Sequence, residues 1–222
     1  MSVSLWAQTD FEKAENYFKQ AKYHQAQPLF EQFLQQHPQD LKSTEYLGDI
    51  QSHLKHWETA IPYYEKLKTI RPNEAEYHYK YGGALAMLAQ KSNRLRALSM
   101  LNEITQAFDK TLVLNKKHIG ARWALIELYL QLPGILGGSE KKAVRYANEL
   151  AVLSPIDGYL SKGHIEEYFK RYGKAEVYYK KAIETGNSPT SSQKLANLYK
   201  NKMNQPEKAS QVLTAFKEKN KS

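Results

Sequence analysis

The sequence predicts an all-α fold, a solenoid of about six helix-turn-helix repeats and about twelve antiparallel helices. Three observations predict it. Residues 41–74, LKSTEYLGDIQSHLKHWETAIPYYEKLKTIRPNE, read as two short amphipathic helices joined by a tight turn and closed by Pro72. Stepping back 34 residues from Trp57, Ala60, Pro62, Tyr64, Glu65 and Pro72 lands on Tyr23, Ala26, Pro28, Phe30, Glu31 and Pro38, matches of identity or type at one offset. The same small and aromatic positions return later as Gly163, Ala175, Tyr179 and Ala182. A single helix pair cannot bury its own apolar face, so repetition at fixed spacing is what makes the fold stable.

Within the unit each residue type has a physical role. Two antiparallel helices approach closely only where side chains are small, so Gly48 and Ala60 are expected to face each other, with Leu47, Trp57, Tyr64 and Leu67 filling the flanks. Pro72 ends the second helix because its ring nitrogen has no proton to donate. Pro28 and Pro62 are expected in the first turn of their helices, where a missing donor costs least. This succession, Leu47-Gly48, Ala60, Tyr64 and Pro72, resembles the tetratricopeptide repeat, patterned L-G-x2-Y, A-x3-F, P over 34 residues. Thr44 stands where that family usually has Trp, and Gln51 where it usually has Tyr. The resemblance implies a right-handed solenoid whose first helices line a concave groove.

Taken in order, residues 1–8 precede the repeats, which cover about 7–40, 41–74, 75–118, 119–155, 156–189 and 190–222, so that 9–222 reads as one solenoid. Two readings hold for MSVSLWAQ: the tail of a secretory signal peptide with cleavage near Ala7, or a frayed cytoplasmic N-terminus. The first is favoured and implies a periplasmic or exported protein. Repeat three has Tyr81-Gly82 in the Leu-Gly slot, but its closing segment AFDKTLVLNKKH arrives 10 residues late, with no Gly or Pro between 84 and 116. Both of its helices must therefore lengthen, by about 15 Å in total at 1.5 Å per residue, with a turn near Ser92-Asn93. An elongated hairpin should project there.

Repeat four opens with ARWALIELYLQL and then carries an insertion, PGILGGS. Pro133 stops one helix, Gly137-Gly138 permits backbone shapes closed to other residues, and Ser139 caps the next helix. Ile135 and Leu136 are expected to pack against the projecting hairpin. The insertion also resembles that of bacterial envelope tetratricopeptide proteins, in line with export. Repeat five is regular. Repeat six has Leu195-Ala196, Tyr199, Ala209 and Leu213, with one extra residue near Gln205-Pro206, and ends in KEKNKS, where lysines suit the negative end of a helix dipole.

The formal charge is +9 and unevenly placed: Lys and Arg exceed Asp and Glu by 6 over residues 80–122 and by 7 over 162–222. Basic surface attracts nucleic acid or another polyanion, but interleaved charges on solvated helix faces give the same totals. The absence of cysteine excludes a disulfide framework, a thiol nucleophile and a thiolate metal site. No run approaches the roughly 20 apolar residues that span a bilayer. The seven histidines do not converge: His53 and His56 lie near a turn and His78 in the next repeat, with no HExxH pattern. No P-loop, dinucleotide fingerprint or nucleophile elbow occurs. Neither a cofactor nor catalysis is expected.

The resemblance makes the first-helix face the default functional surface, and the register places Glu45, Asp49, Tyr79, Trp123, Glu127, Leu160, His164, Gln193 and Asn197 on it. Trp123 leads, because aromatic side chains dominate binding when a partner buries them, although core packing is an equal reading for it. Some members of the family clamp free C-terminal carboxylates with Lys, Arg and Asn. The matching places here hold Phe11, Glu15, Tyr46, Glu76 and Lys80, so that clamp is missing. The leading expectation is a non-catalytic scaffold that binds a peptide or helix of a partner protein. The alternatives are a polyanion binder through the two basic segments, or a carrier of a small apolar ligand.

Overall fold

A computed structural model describes the backbone of residues 3–219 and the side chains from Asp10 onward. Residues 1 and 2 and the side chains of 3–9 lie outside that description, and with them the signal-peptide reading. The described chain holds twelve α-helices and one 3-10 turn, and no strand. It divides into two compact units meeting at Lys116-Lys117. The first contains α1 (Val3–Lys19), α2 (Tyr23–Gln36), α3 (Leu41–His53), α4 (Trp57–Ile70), α5 (Ala75–Lys91) and α6 (Arg94–Leu114). The second contains α7 (Ile119–Gln131), the 3-10 turn Gly134–Leu136, α8 (Glu140–Leu153), α9 (Pro155–Tyr168), α10 (Tyr172–Thr185), α11 (Pro189–Asn201) and α12 (Pro206–Lys219). In each unit every helix packs on the next in sequence.

The turns inside the helix pairs repeat as faithfully as the helices. Ala21, Lys55 and Lys170 adopt φ of 56°, 62° and 59°, left-handed values that admit the reversal. The N–H of the following residue then reaches back five positions, from Lys22 to the Tyr17 carbonyl (2.9 Å), His56 to Gln51 (2.8 Å) and Arg171 to Glu166 (2.8 Å). This closes the last turn of each first helix as a Schellman motif, with non-glycine residues in the strained position. In repeat six the extra residue lengthens the turn, and Asn204 takes φ of 53° instead. Side chains cap most helices that follow longer links: Asp40 accepts from Ser43 N–H at 2.6 Å ahead of α3, and Ser139, Ser154 and Ser188 cap α8, α9 and α11.

Close approach within a pair is set by glycine against an aromatic ring. A Cβ on Gly48 would meet Tyr64 Cε1 at 2.8 Å, one on Gly82 would meet Ala107 Cβ at 2.9 Å, and one on Gly163 would meet Tyr179 Cε1 at 2.5 Å. The atoms nearest to a Cβ on Gly48 belong to Tyr64 and Tyr63, because the Tyr64 ring is long enough to cross the helix interface. Leu47, Ala60, Tyr64 and Leu67 are buried, as the pattern requires. The two repeated prolines differ from expectation. Pro28 and Pro62 sit inside α2 and α4, five residues past the first, so each removes a bond from within the ladder; both are exposed, where water serves the carbonyl instead.

Repeat three has the elongated hairpin. Its helices run 17 and 21 residues, against 13 and 14 for α3 and α4, and they reverse at Ser92-Asn93, where Asn93 caps α6 by accepting from Arg96 N–H. In repeat four Gly137 has φ of 93°, and a Cβ on Gly138 would collide with the Leu132 carbonyl. The insertion folds back tightly, with Ser139 N–H bonded to Tyr129 O at 2.9 Å. The expected packing of Ile135 is not found: it is 93% exposed, because the 3-10 turn directs it outward, while Leu136 is half-buried.

Candidate partner-binding surface

In the first unit the first-helix face is dominated by one ion triad. Lys80 on α5 places Nζ 2.5 Å from Glu45 Oε1 and 2.7 Å from Asp49 Oδ2, both on α3. Asp49 also accepts from the Tyr64 hydroxyl (2.8 Å), which meets Ser52 Oγ at 2.9 Å, and Glu45 accepts from Tyr77 at 3.4 Å. Burial opposes the charge on Lys80, but Asp49 and Glu45 outweigh it and hold its pKa above the ordinary lysine value. Burial, then Asp49, pushes the Tyr64 phenol up as well. Glu45 and Asp49 were expected to meet a partner; the fold brings them together around a lysine of its own.

The next tie toward the N-terminus has the same form. Glu15 on α1 accepts from Lys42 Nζ (2.6 Å) and from the Tyr46 hydroxyl (2.9 Å), both on α3. The bond from Lys42 lowers the Glu15 pKa, and burial followed by Glu15 raises Tyr46 to about 12. Tyr79 is half-buried, its ring centroid 6.0 Å from that of Phe108. Burial, then Glu76, raises its pKa. It packs on the hairpin rather than standing out from it.

In the second unit α7, α9 and α11 share one face. Trp123 donates from Nε1 to Asp157 Oδ1 at 2.9 Å, and Asp157 in turn accepts from Ser154 Oγ at 2.6 Å. The indole packs on the core cluster that contains Leu160 and Tyr179. Trp123 is thus both half-buried core and inter-repeat tie, and its polar atom is already taken. His164 Nε2 lies 2.7 Å from Glu127 Oε2; a carboxylate has no proton to give, so the ring nitrogen donates. That bond leads in lowering the Glu127 pKa. Gln131 donates to the other Glu127 oxygen. Leu160 requires correction: only 6% exposed, it belongs to the core cluster and offers nothing to a partner.

Gln193 and Asn197 are exposed on α11, bonded to each other at 2.9 Å one turn apart. With Pro189, Thr190 and Lys194 they line a shallow depression of about 360 Å³. Of the nine residues read from the register, these two are the most accessible. The register missed the residues that bind the face together: Lys80, Tyr46 and Asp157. The signal that finds them is an opposite charge or a donor 31 to 35 positions from its partner, as in Lys80 with Asp49 and Glu45. It also missed Arg122, buried with Nε 3.0 Å from Glu149 and Nη1 3.1 Å from the His118 carbonyl.

The histidines are dispersed into separate contacts. His53 stacks on Tyr23 at 4.6 Å, His56 Nδ1 lies 3.2 Å from Gln51 Oε1, and His78 Nε2 lies 2.9 Å from the Pro72 carbonyl. Among the described residues no group of three or more His, Asp or Glu side chains is placed to hold a metal ion, and no helix is long and apolar enough to cross a membrane.

Tetratricopeptide-repeat family models match residues 11–75 and 156–185. No curated protein matches the chain by sequence. Among solved structures, a thermophilic tetratricopeptide-repeat protein of Thermus thermophilus aligns with a TM-score of 0.66 at 17% identity, over 94% of this chain and 99% of that one. PilW, described as a widely conserved type IV pilus biogenesis factor, aligns at 0.67 and 18% identity over 93% and 90%. PilF of Pseudomonas aeruginosa aligns at 0.63 and 16% over 96% and 90%. At these identities the likeness shows the fold alone, but it extends across the repeats that lie outside the matched segments. With the helix pairs, the recurring turns and the two matched segments in agreement, residues 11–75 and 156–185 are tetratricopeptide repeats and the chain has the tetratricopeptide-repeat fold.

Proposed function

We propose that the protein is a non-catalytic interaction scaffold that binds an extended peptide or a helix of a partner protein on the face of its first helices, without a cofactor. The observation behind this reading is the α11 surface, where Gln193 and Asn197 present amides beside Lys194 over a depression of about 360 Å³. Side-chain amides donate and accept at once, the chemistry that reads a peptide backbone. The neighbouring Glu127 and His164 pair, 42% and 22% exposed, extends the polar track on α7 and α9. Elsewhere on these faces the polar groups are spent on ties between repeats, which suits a preorganised surface: little is left to order when a partner arrives. The proposed place of action is the periplasm, on the sequence of residues 1–8 and the PGILGGS loop.

The polyanion reading loses two of its cations to internal pairs, Lys80 and Arg122, and Arg171 and Lys180 from the C-terminal segment are also bonded to carboxylates. The small-ligand reading has a cavity between α10, α11 and α12, lined by Ile183, Leu195, Val212 and Phe216, but at about 220 Å³ it falls below the usual range of roughly 300 to 1,000 Å³ for ligand pockets.

The test is affinity capture from native extract with the wild-type chain beside Gln193→Arg/Asn197→Arg, two exposed positions where the fold, checked by circular dichroism, should be unchanged. A protein retained by the first and released by the second supports the scaffold. Equal retention removes this surface from the proposal, and recovery only of nucleic acid that elutes with salt replaces it by the polyanion reading.

A further inference from the structure

The lengthened third repeat does more than project. Because α5 runs on to Lys91 while α3 ends at His53, the turn at Ser92-Asn93 overhangs the turn at Leu54-Lys55-His56 and leaves a step between them. The step is a cleft of about 540 Å³ with the start of α4 on one side and the α5 to α6 reversal on the other. Its charged lining is mostly of one sign: Lys55, Lys91 and Arg96, with His56 beside them and Glu58 the only acid. The added length of α5, 17 residues against 13 in α3, makes this step.

We propose that this cleft is a docking groove for an acidic, extended peptide segment of a partner protein. The single acid does not block it. Glu58 pairs with Arg96 at 2.5 Å, but both side chains are more than half exposed, 63% and 51%, and ion pairs so open to water are exchanged at little cost. An incoming carboxylate can take the Arg96 guanidinium while Lys55 and Lys91 serve its neighbours. The groove wall includes the start of α4, whose N-cap His56 makes no side-chain cap bond, so the positive end of that helix dipole is left for an anion. Three cations in one cleft match two or three carboxylates on a short segment. A nucleic acid gains its affinity from a longer run of neutralised phosphates than this cleft offers. Lys80, which is locked to Asp49 and Glu45, plays no part.

The test uses the full chain and a fluorescent hexaglutamate peptide, followed by anisotropy at low and physiological salt, beside an oligothymidylate of matched charge. Saturable binding of hexaglutamate is expected, weakened about tenfold in Lys91→Glu/Arg96→Glu and strengthened a few-fold in Glu58→Gln, which removes the competing carboxylate. Lys91, Arg96 and Glu58 are all exposed, so the variants should keep the fold; thermal melts check this. Because Trp57 lines the cleft, a change in emission on binding that is lost in Trp57→Phe would locate the peptide. Absence of binding at low salt, equal binding by the charge-reversed variant, or tighter binding of the oligothymidylate at every salt would each overturn the proposal.

Discussion

Lys80 and Asp49 form an ion pair, Nζ to Oδ2 at 2.7 Å, between side chains 31 positions apart on successive first helices. With Glu45 it converts what would be an acidic patch into a partly neutralised seam, 19% exposed at the lysine. Lys80→Met should therefore destabilise the first unit more than its own packing accounts for, since two half-buried carboxylates lose their counter-charge. A loss of about 1 to 3 kcal/mol is expected from denaturant melts. Lys80→Met combined with Asp49→Asn and Glu45→Gln should recover most of it; a triple variant no better than the single one would show that charge is not the cause.

Adjacent glycines in α5 should respond with opposite signs. A Cβ on Gly82 meets Ala107 Cβ at 2.9 Å and the Phe108 ring at 3.2 Å, while one on Gly83 meets nothing within 4 Å. Gly82→Ala is expected to cost about 1 to 3 kcal/mol by overpacking, and Gly83→Ala to add up to about 1 kcal/mol through helix propensity. Melting temperatures moving the same way in both variants would contradict the packing described.

The strained turns offer a simple stabilisation. Ala21 and Lys170 hold left-handed φ that costs an L-residue roughly 1 to 2 kcal/mol, relieved in glycine at some expense in chain entropy. Ala21→Gly and Lys170→Gly should each raise stability by about 0.5 to 1 kcal/mol, read from urea midpoints. Gly173→Ala, at a position with open space, is a control on α10 expected to be neutral or mildly stabilising.

Alkaline pH should destabilise this protein from its core outward. The phenols of Tyr64 and Tyr179 are raised above the ordinary 10.0, in both cases first by burial and then by a carboxylate, Asp49 or Glu167, and Lys80 is raised above 10.5. Above those ordinary values the unfolded chain releases protons that the folded chain retains. Stability is then fully present below about pH 10 and lost as pH rises through the folded pKa values. Melting temperature should be flat from neutral pH to about 9 and fall steeply beyond about 10, with a shallower fall in Tyr64→Phe/Tyr179→Phe. An unchanged alkaline slope in that variant would assign the loss to other groups.

Trp123 and Asp157 give the corresponding test in the second unit. Trp123→Phe keeps a ring against the core cluster but removes the N–H donor together with part of the indole's volume, so a cost above the roughly 1 kcal/mol of the bond is expected, and Asp157→Ala in the Phe background should add less than it does alone. Additive costs in the double variant would mean the bond contributes nothing.

Residue spacing and local chemistry by themselves determined the helix pairs, the buried Leu47, Tyr64, Ala175 and Tyr179, the reversal of the long hairpin at Ser92-Asn93, and the cap at Ser139. These are local matters: helical period, small residues against rings, proline and caps fix them within one or two turns of chain. Tertiary structure decided which polar residues of the first helices remain available. Periodicity assigns a residue to a face, but whether it meets solvent depends on what the next repeat places opposite it. Lys80 takes Glu45 and Asp49, Asp157 takes the Trp123 indole, and the packing of α9 on its neighbours carries Leu160 inside while Gln193 and Asn197 stay out. The cleft beside Trp57 is of the same kind: the sequence shows that repeat three is longer, and only the packed helices show that the added length ends over Lys55 and Glu58 with Lys91 and Arg96 facing them across the step.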